Sequence, residues 1–91
     1  MKHPVICIPR INRFFSAHDI QNVFDTYKFG TIEKINIVTG VETNKVFIKY
    51  SYWNQRDQTR IFRGGLMRDE TMKIFHEFPS FWKCYKSFDR K

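Results

Sequence analysis

Two segments of the sequence alternate aromatic rings with lysines at the two-residue spacing of a β-strand. In the first segment, Lys45, Phe47 and Lys49 share one side of the predicted strand, and apolar residues share the other. A ring in this position can stack on a nucleic-acid base, while flanking ammonium groups neutralise backbone phosphates. The pattern therefore predicts that Phe47 contacts an anionic polymer.

The second segment lies near the C-terminal end. Phe81, Lys83 and Tyr85 alternate with Trp82 and Cys84. Because Trp82 and Cys84 are both apolar, we expect them to face the core, which leaves the two rings and the lysine exposed. A slip of one residue would invert this assignment and expose Trp82 instead.

Two arginines follow the first predicted strand. Arg10 and Arg13 are placed to hold phosphates at the edge of a sheet. Surface solubility explains them equally well, so both interpretations stay open.

The sequence offers little for catalysis or metal binding. Cys7 and Cys84 lie at opposite ends of the chain, and His3, His18 and His76 are scattered singly. Neither a zinc-binding spacing nor a nucleophile paired with a base is present. We expect no enzyme activity, no cofactor and free thiols. If one cysteine faces the open side and the other the core, they point apart and cannot form a disulfide.

The composition indicates one small basic domain over residues 1–91. Sixteen Lys and Arg oppose nine Asp and Glu, giving a net charge of +7, and aromatic residues make up 18% of the chain. This balance favours acidic partners, with nucleic acid first. No apolar run has the length of a signal peptide or a membrane span, so we expect an intracellular protein of the cytoplasm or nucleus.

The clearest predicted element is a helix that begins after Ser16. Ser16 and Asp19 have the spacing of a capping box, and Gly30 is expected to end the helix. The apolar face of this helix is formed by Ile20, Val23, Phe24 and Tyr27.

Five strands are predicted around two helices. Pro9 is expected to end the first strand, and a bulge is expected near Glu33 and Lys34. The predicted strands cover residues 5–8, 31–38, 45–52, 71–76 and 81–87.

The second predicted helix begins at a cap formed by Asn54 or Asp57. It runs to about Arg63, where two consecutive glycines end it. Ile61 and Phe62 are expected to face inward.

The resulting order is β-α-β-β-α-β with an extra strand before the last. This order is typical of the ferredoxin-like α+β fold, in which two helices cover one face of a four-stranded antiparallel sheet. The extra strand is expected to form a hairpin with the last one. The other face of the sheet is then open to a ligand.

Over nearly its whole length the chain resembles the RNA-recognition motif family. The segment DIQNVFDTYKFGTIEKINIV is similar to the family's first helix and second strand. ICIPRI, residues 6–11, lies where the family has a six-residue motif, and TNKVFIKY, residues 43–50, lies where it has an eight-residue motif. The closing FPSFWKCYKS is similar to small domains encoded by large DNA viruses. The resemblance implies binding of single-stranded RNA on the open sheet face.

The two motifs depart from the family at several positions. The three places that usually carry stacking rings hold Cys7, Lys45 and Phe47, so only Phe47 retains a ring. Thr43 replaces the usual basic residue of the longer motif, and Arg10 replaces the usual asparagine of the shorter one. The predicted RNA-binding residues are Phe47, Lys45, Lys49, Cys7, Arg10, Lys34, Asn36, Phe81, Lys83 and Tyr85.

Ligands other than single-stranded RNA are also consistent with the sequence. Single-stranded DNA is an alternative to RNA, and a protein docking on Phe47, Phe81 and Tyr85 is the alternative function. The chain's own tail covering Phe47 is a third interpretation. An acylphosphatase-like enzyme would need a glycine-rich loop after the first strand, and PRINRFFS contains no glycine. We expect neither a membrane nor a small-molecule substrate as partner.

Overall fold

Five strands and two helices occupy the part of the chain that the computed structural model describes, residues 4–77 and 79–87. The protein therefore has an α+β architecture. The elements are β1 (Val5–Asn12), α1 (Ala17–Tyr27), β2 (Gly30–Val38), β3 (Thr43–Trp53), α2 (Asp57–Met67), β4 (Met72–Glu77) and β5 (Ser80–Ser87).

The strands form one sheet in the order β2-β3-β1-β5-β4, and every neighbouring pair is antiparallel. The prediction of a four-stranded sheet is wrong in its strand count, because β4 joins the sheet as a fifth strand. A connection of only two residues separates β4 from β5, so the two strands pair as a hairpin. Lys73 lies opposite Lys83, and Phe75 lies opposite Phe81.

One buried cluster joins both helices to one face of the sheet. Ile20 and Phe24 of α1 and Phe62 and Leu66 of α2 belong to this cluster. The strands contribute Ile6, Ile8, Val46, Ile48, Tyr50, Ile74, Trp82 and Cys84. Both helices therefore pack on one face of the sheet, and neither helix covers the opposite face.

The capping box at the start of α1 is confirmed. The Ser16 hydroxyl accepts a hydrogen bond from the Asp19 N–H at 3.1 Å, and the Asp19 carboxylate accepts one from the Ser16 N–H at 3.0 Å. These bonds lower the pKa of Asp19. The predicted end of the helix is wrong, because Lys28 is the left-handed C-cap at φ 57° and Gly30 begins β2.

The first strand continues beyond Pro9, contrary to the prediction. Its pairing with β3 shifts between Ile8 and Ile11, and the strand runs to Asn12. Proline has no N–H to donate, so it interrupts the ladder but leaves the extended backbone intact. The predicted bulge near Glu33 is confirmed by a register shift in the pairing of β2 with β3.

The second helix is longer than predicted. Arg56 is its N-cap in place of the predicted Asn54 or Asp57, and the two glycines lie inside the helix instead of ending it. Gly65 is buried, and an added Cβ there would overlap the Met72 sulfur of β4. Ile61 is 66% exposed, so its inward assignment is wrong, whereas Phe62 is buried as expected. Consecutive helical residues are turned by about 100°, and the core side is occupied by Phe62.

A hydroxyl of α1 reaches the backbone of the edge strand β4. The Tyr27 hydroxyl accepts a hydrogen bond from the Phe75 N–H at 2.8 Å and lies 3.2 Å from the Phe75 carbonyl oxygen, to which it donates. This contact occupies the outer edge of the sheet at one residue.

Among the described residues, no helix is long and apolar enough to cross a membrane.

Two glycine-to-alanine substitutions are expected to change the stability in opposite directions. Gly30 has φ 152°, and an added Cβ would overlap the Tyr52 carbonyl oxygen. Gly30→Ala should therefore lower the free energy of unfolding by at least about 2 kcal/mol. Gly64→Ala meets only the end of the Arg68 side chain, at 3.3 Å. It should raise the free energy of unfolding by up to about 1 kcal/mol, because alanine favours a helix.

Equilibrium unfolding in urea measures both effects. A Gly30→Ala protein as stable as the unsubstituted one would contradict the close approach of β2 to β3.

Candidate nucleic-acid interface

The sheet face opposite the helices carries a continuous row of side chains across four strands. Asn36 of β2 pairs with Phe47 of β3, Phe47 pairs with Cys7 of β1, and Cys7 pairs with Tyr85 of β5. Neighbouring strands lie about 4.8 Å apart, so this row extends for about 14 Å. The structure places the ten predicted RNA-binding residues together on this face or at its rim.

Two pairs of lysines lie directly opposite each other on neighbouring strands. Lys34 of β2 faces Lys49 of β3, and Lys73 of β4 faces Lys83 of β5. Like charges directly opposite each other destabilise a sheet. Glu33 lies 4.0 Å from the Lys49 ammonium and offsets the first pair in part. An anion placed over either pair would relieve the repulsion.

Phe47 is the half-buried ring at the centre of β3. The alternating burial of this strand places Val46 and Ile48 in the core and leaves Phe47 on the open face. Among the described residues, no other aromatic ring packs against Phe47. Part of its ring surface is exposed on the open face.

The predicted orientation of β5 is confirmed. Trp82 is 4% exposed and Cys84 is fully buried, so Phe81, Lys83 and Tyr85 lie on the open face. Trp82 also stacks on His76, with ring centroids 4.7 Å apart, so His76 is a packing residue.

Sequence reasoning missed two residues of β4 on the same face. The Phe75 ring lies edge-on to Phe81 with centroids 5.5 Å apart, and the Lys73 ammonium lies 4.6 Å from the centre of the Phe81 ring. The signal was present in the alternation of Lys73 and Phe75 along the predicted strand. Pairing that strand with β5 as a hairpin would have placed both residues beside Phe81 and Lys83.

The two arginines after the first strand have different surroundings. Arg10 lines an open depression of about 500 Å³ together with Pro9, Phe81, Trp82, Lys83 and Tyr85. Arg13 instead donates a hydrogen bond to the Val41 carbonyl oxygen at 2.8 Å, which ties the loop after β1 to the loop before β3. Arg10 is therefore the arginine that belongs to the open face.

The two cysteines face opposite sides of the sheet, as expected, and both are free thiols. Burial raises the pKa of Cys7, and the positive charge of Lys45 opposes that effect. Burial raises the pKa of Cys84 much further. Within residues 4–77 and 79–87, no group of His, Cys, Asp or Glu side chains is arranged to hold a metal ion.

Comparison with other proteins gives no family assignment. No protein-family model, curated protein or solved structure matches this chain. The residues of the open face are therefore the basis for inferring a function.

The two thiols should differ in their reaction with iodoacetamide. We expect alkylation of Cys7 alone in the folded protein, because Cys84 faces the core. Since the pKa of Cys7 is raised, its rate should keep increasing as pH rises beyond the ordinary thiol range of about 8–9. Lys45→Gln should slow the reaction at a given pH by raising that pKa further.

Mass spectrometry of the protein sampled over time at several pH values gives the site and the rate. The protein unfolded in urea is the control, in which both thiols should react. Equal rates for Cys7 and Cys84 in the folded protein would contradict the orientation of β1 and β5.

Proposed function

We propose that this protein binds single-stranded RNA on the open face of its sheet, without catalysis. The observation that carries the proposal is the presence of two lysine pairs, one on each side of the row that contains Phe47 and Tyr85. In these pairs Lys34 lies opposite Lys49, and Lys73 lies opposite Lys83. A polyanion that crosses the strands would neutralise both pairs at once. The rings between them supply stacking surfaces.

The geometry favours unpaired bases over a duplex. Phe47 and Tyr85 lie in one row of the open face, and a ring stacks only on a base whose own face is free. In a duplex the base faces are covered by neighbouring pairs, and proteins recognise double-stranded RNA mainly by its shape and backbone. Single strands are therefore the matching form of nucleic acid.

The connectivity supports a ferredoxin-like assignment for the fold. With β4 set aside, the sheet order is β2-β3-β1-β5, and helices follow β1 and β3. The motif resemblance, not the strand order, is the reason for proposing RNA ahead of single-stranded DNA. The replacement of two usual rings by Cys7 and Lys45 means that stacking depends chiefly on Phe47.

A protein partner on the same face is the second candidate. Phe75 and Tyr85 are 38% and 37% exposed, which gives the face apolar area that a protein could cover. The interpretation in which the chain's tail covers Phe47 concerns residues 88–91, which lie outside the described residues. Salt dependence separates a polyanion from an apolar partner.

Binding of a short single-stranded RNA should weaken steadily with added salt. If three to five phosphates are contacted, the logarithm of the association constant should fall against the logarithm of salt concentration with a slope of about −2 to −3.5. Fluorescence anisotropy with a labelled oligouridylate at several salt concentrations measures the slope. A flat response would favour the protein-docking candidate.

Phe47→Ala should weaken RNA binding by about 1–3 kcal/mol, the usual range for one base–aromatic stack. The fold should persist, because Val46 and Ile48 supply the core side of β3. Titration calorimetry gives the affinity, and thermal unfolding gives the stability.

Phe47→Leu is the companion variant, since leucine keeps the apolar volume and removes the aromatic ring. It should lose nearly as much affinity as Phe47→Ala. Full RNA affinity in both folded variants would contradict the stacking role of Phe47.

A further inference from the structure

The fifth strand adds a second group of ring and lysine side chains to the open face. Phe75 lies opposite Phe81 on the β4–β5 hairpin, and Lys73 lies opposite Lys83. The group repeats the composition found around Phe47, where a ring also lies among lysines. We call the Phe75–Phe81 ring pair with Lys73 and Lys83 the hairpin platform.

The hairpin platform lies well away from Phe47. Tyr85 is in the row of Phe47, two strands across, and Phe81 is four residues farther along β5. With strands about 4.8 Å apart and about 3.4 Å per residue, Phe47 and Phe81 are separated by about 17 Å. A stacked single strand advances about 3.4 Å per nucleotide, so about five nucleotides connect the two rings.

The surface between the two rings is suited to a nucleic-acid backbone. The open depression beside Tyr85 and Phe81 is lined by Arg10 and Lys83, both exposed. Their charges lie where a strand that runs from Phe47 to Phe81 would pass. No acidic side chain lines this depression among the described residues.

In the structure, Lys73 covers the ring that a base would use. Its ammonium group lies 4.6 Å from the centre of the Phe81 ring in a cation–π contact. Such contacts are weak at exposed sites. Lys73 is exposed and faces Lys83, so a phosphate offers its ammonium group a stronger partner than the ring does.

Resting on the proposed function, we propose that the hairpin platform is a second nucleotide-binding subsite. A base stacks on Phe81, supported edge-on by Phe75, and Lys73 moves from the ring to a phosphate of the same strand. The protein then binds a single-stranded RNA of about five or more nucleotides across all five strands.

The experiment compares a trinucleotide with an octanucleotide of uridylate. The unsubstituted protein should bind the octamer at least about tenfold more tightly, because only the octamer reaches both rings. Phe81→Leu should weaken octamer binding at least about fivefold, the lower end of one base–aromatic stack, and change trinucleotide binding less than twofold. Phe47→Ala should weaken both.

Lys73→Gln tests the phosphate contact, with Arg60→Gln on the exposed side of α2 as the matched loss of one charge. Lys73→Gln should reduce the salt slope of octamer binding by about 0.7, the value for one single-strand phosphate, and leave the trinucleotide slope unchanged. Arg60→Gln should leave both slopes unchanged. Both variants replace exposed side chains, so the fold is kept.

The outcomes separate the subsite from the proposed function. Equal affinity for the trinucleotide and the octamer, or equal effects of Phe81→Leu on both, would overturn the hairpin platform while RNA binding stands. Equal salt effects of Lys73→Gln and Arg60→Gln would overturn the phosphate contact. Failure of the unsubstituted protein to bind either RNA would overturn the proposed function itself.

Discussion

The burial of one side of β3 determines what the rest of the protein presents to its surroundings. Val46, Ile48 and Tyr50 are packed beneath the helices, and β3 lies between β2 and β1 in the sheet. A shift of one residue would place Lys45 and Lys49 in the core, where an unpaired charge is very costly. The register of β3 is therefore fixed strongly, and it holds Phe47 on the open face between two lysines.

Like charges that lie opposite each other on the open face lower the stability of the sheet. Lys73 and Lys83 lie directly opposite each other, an arrangement that costs a few tenths of a kcal/mol to about 1 kcal/mol, whereas Glu33 offsets part of the same repulsion between Lys34 and Lys49. The backbone ladders and the apolar cluster on the helical face outweigh this cost. Local conflicts of this kind are expected at functional surfaces.

Much of the fold could be predicted from local patterns, and the failures have identifiable causes. The capping box defined the start of α1, and the alternation of residues in β3 and β5 gave the correct buried sides. Pro9 and Gly64 were misinterpreted because their effect on the backbone depends on tertiary context. A proline is tolerated at a bulge, and a glycine is retained within a helix whose other contacts stabilise it.

Candidate-site residues could be predicted in β3 and β5, the strands whose side chains alternate most clearly. Lys73 and Phe75 were missed because their position beside Lys83 and Phe81 comes from the pairing of β4 with β5, which is not a property of either segment alone. The place of Lys73 over the Phe81 ring is likewise a property of the packed hairpin. Such cross-strand neighbours follow from the register and cannot be obtained from composition.

The hydrogen bonds of Tyr27 have a consequence for self-association. Edge-to-edge pairing of sheets into a filament requires two free edge strands on every molecule, so that each copy can pair with the next. At β4 the N–H and C=O of Phe75 are already engaged by the Tyr27 hydroxyl. A strand from a second molecule that paired along β4 would have to displace this hydroxyl at Phe75, so the hydroxyl disfavours extension of the sheet at this edge.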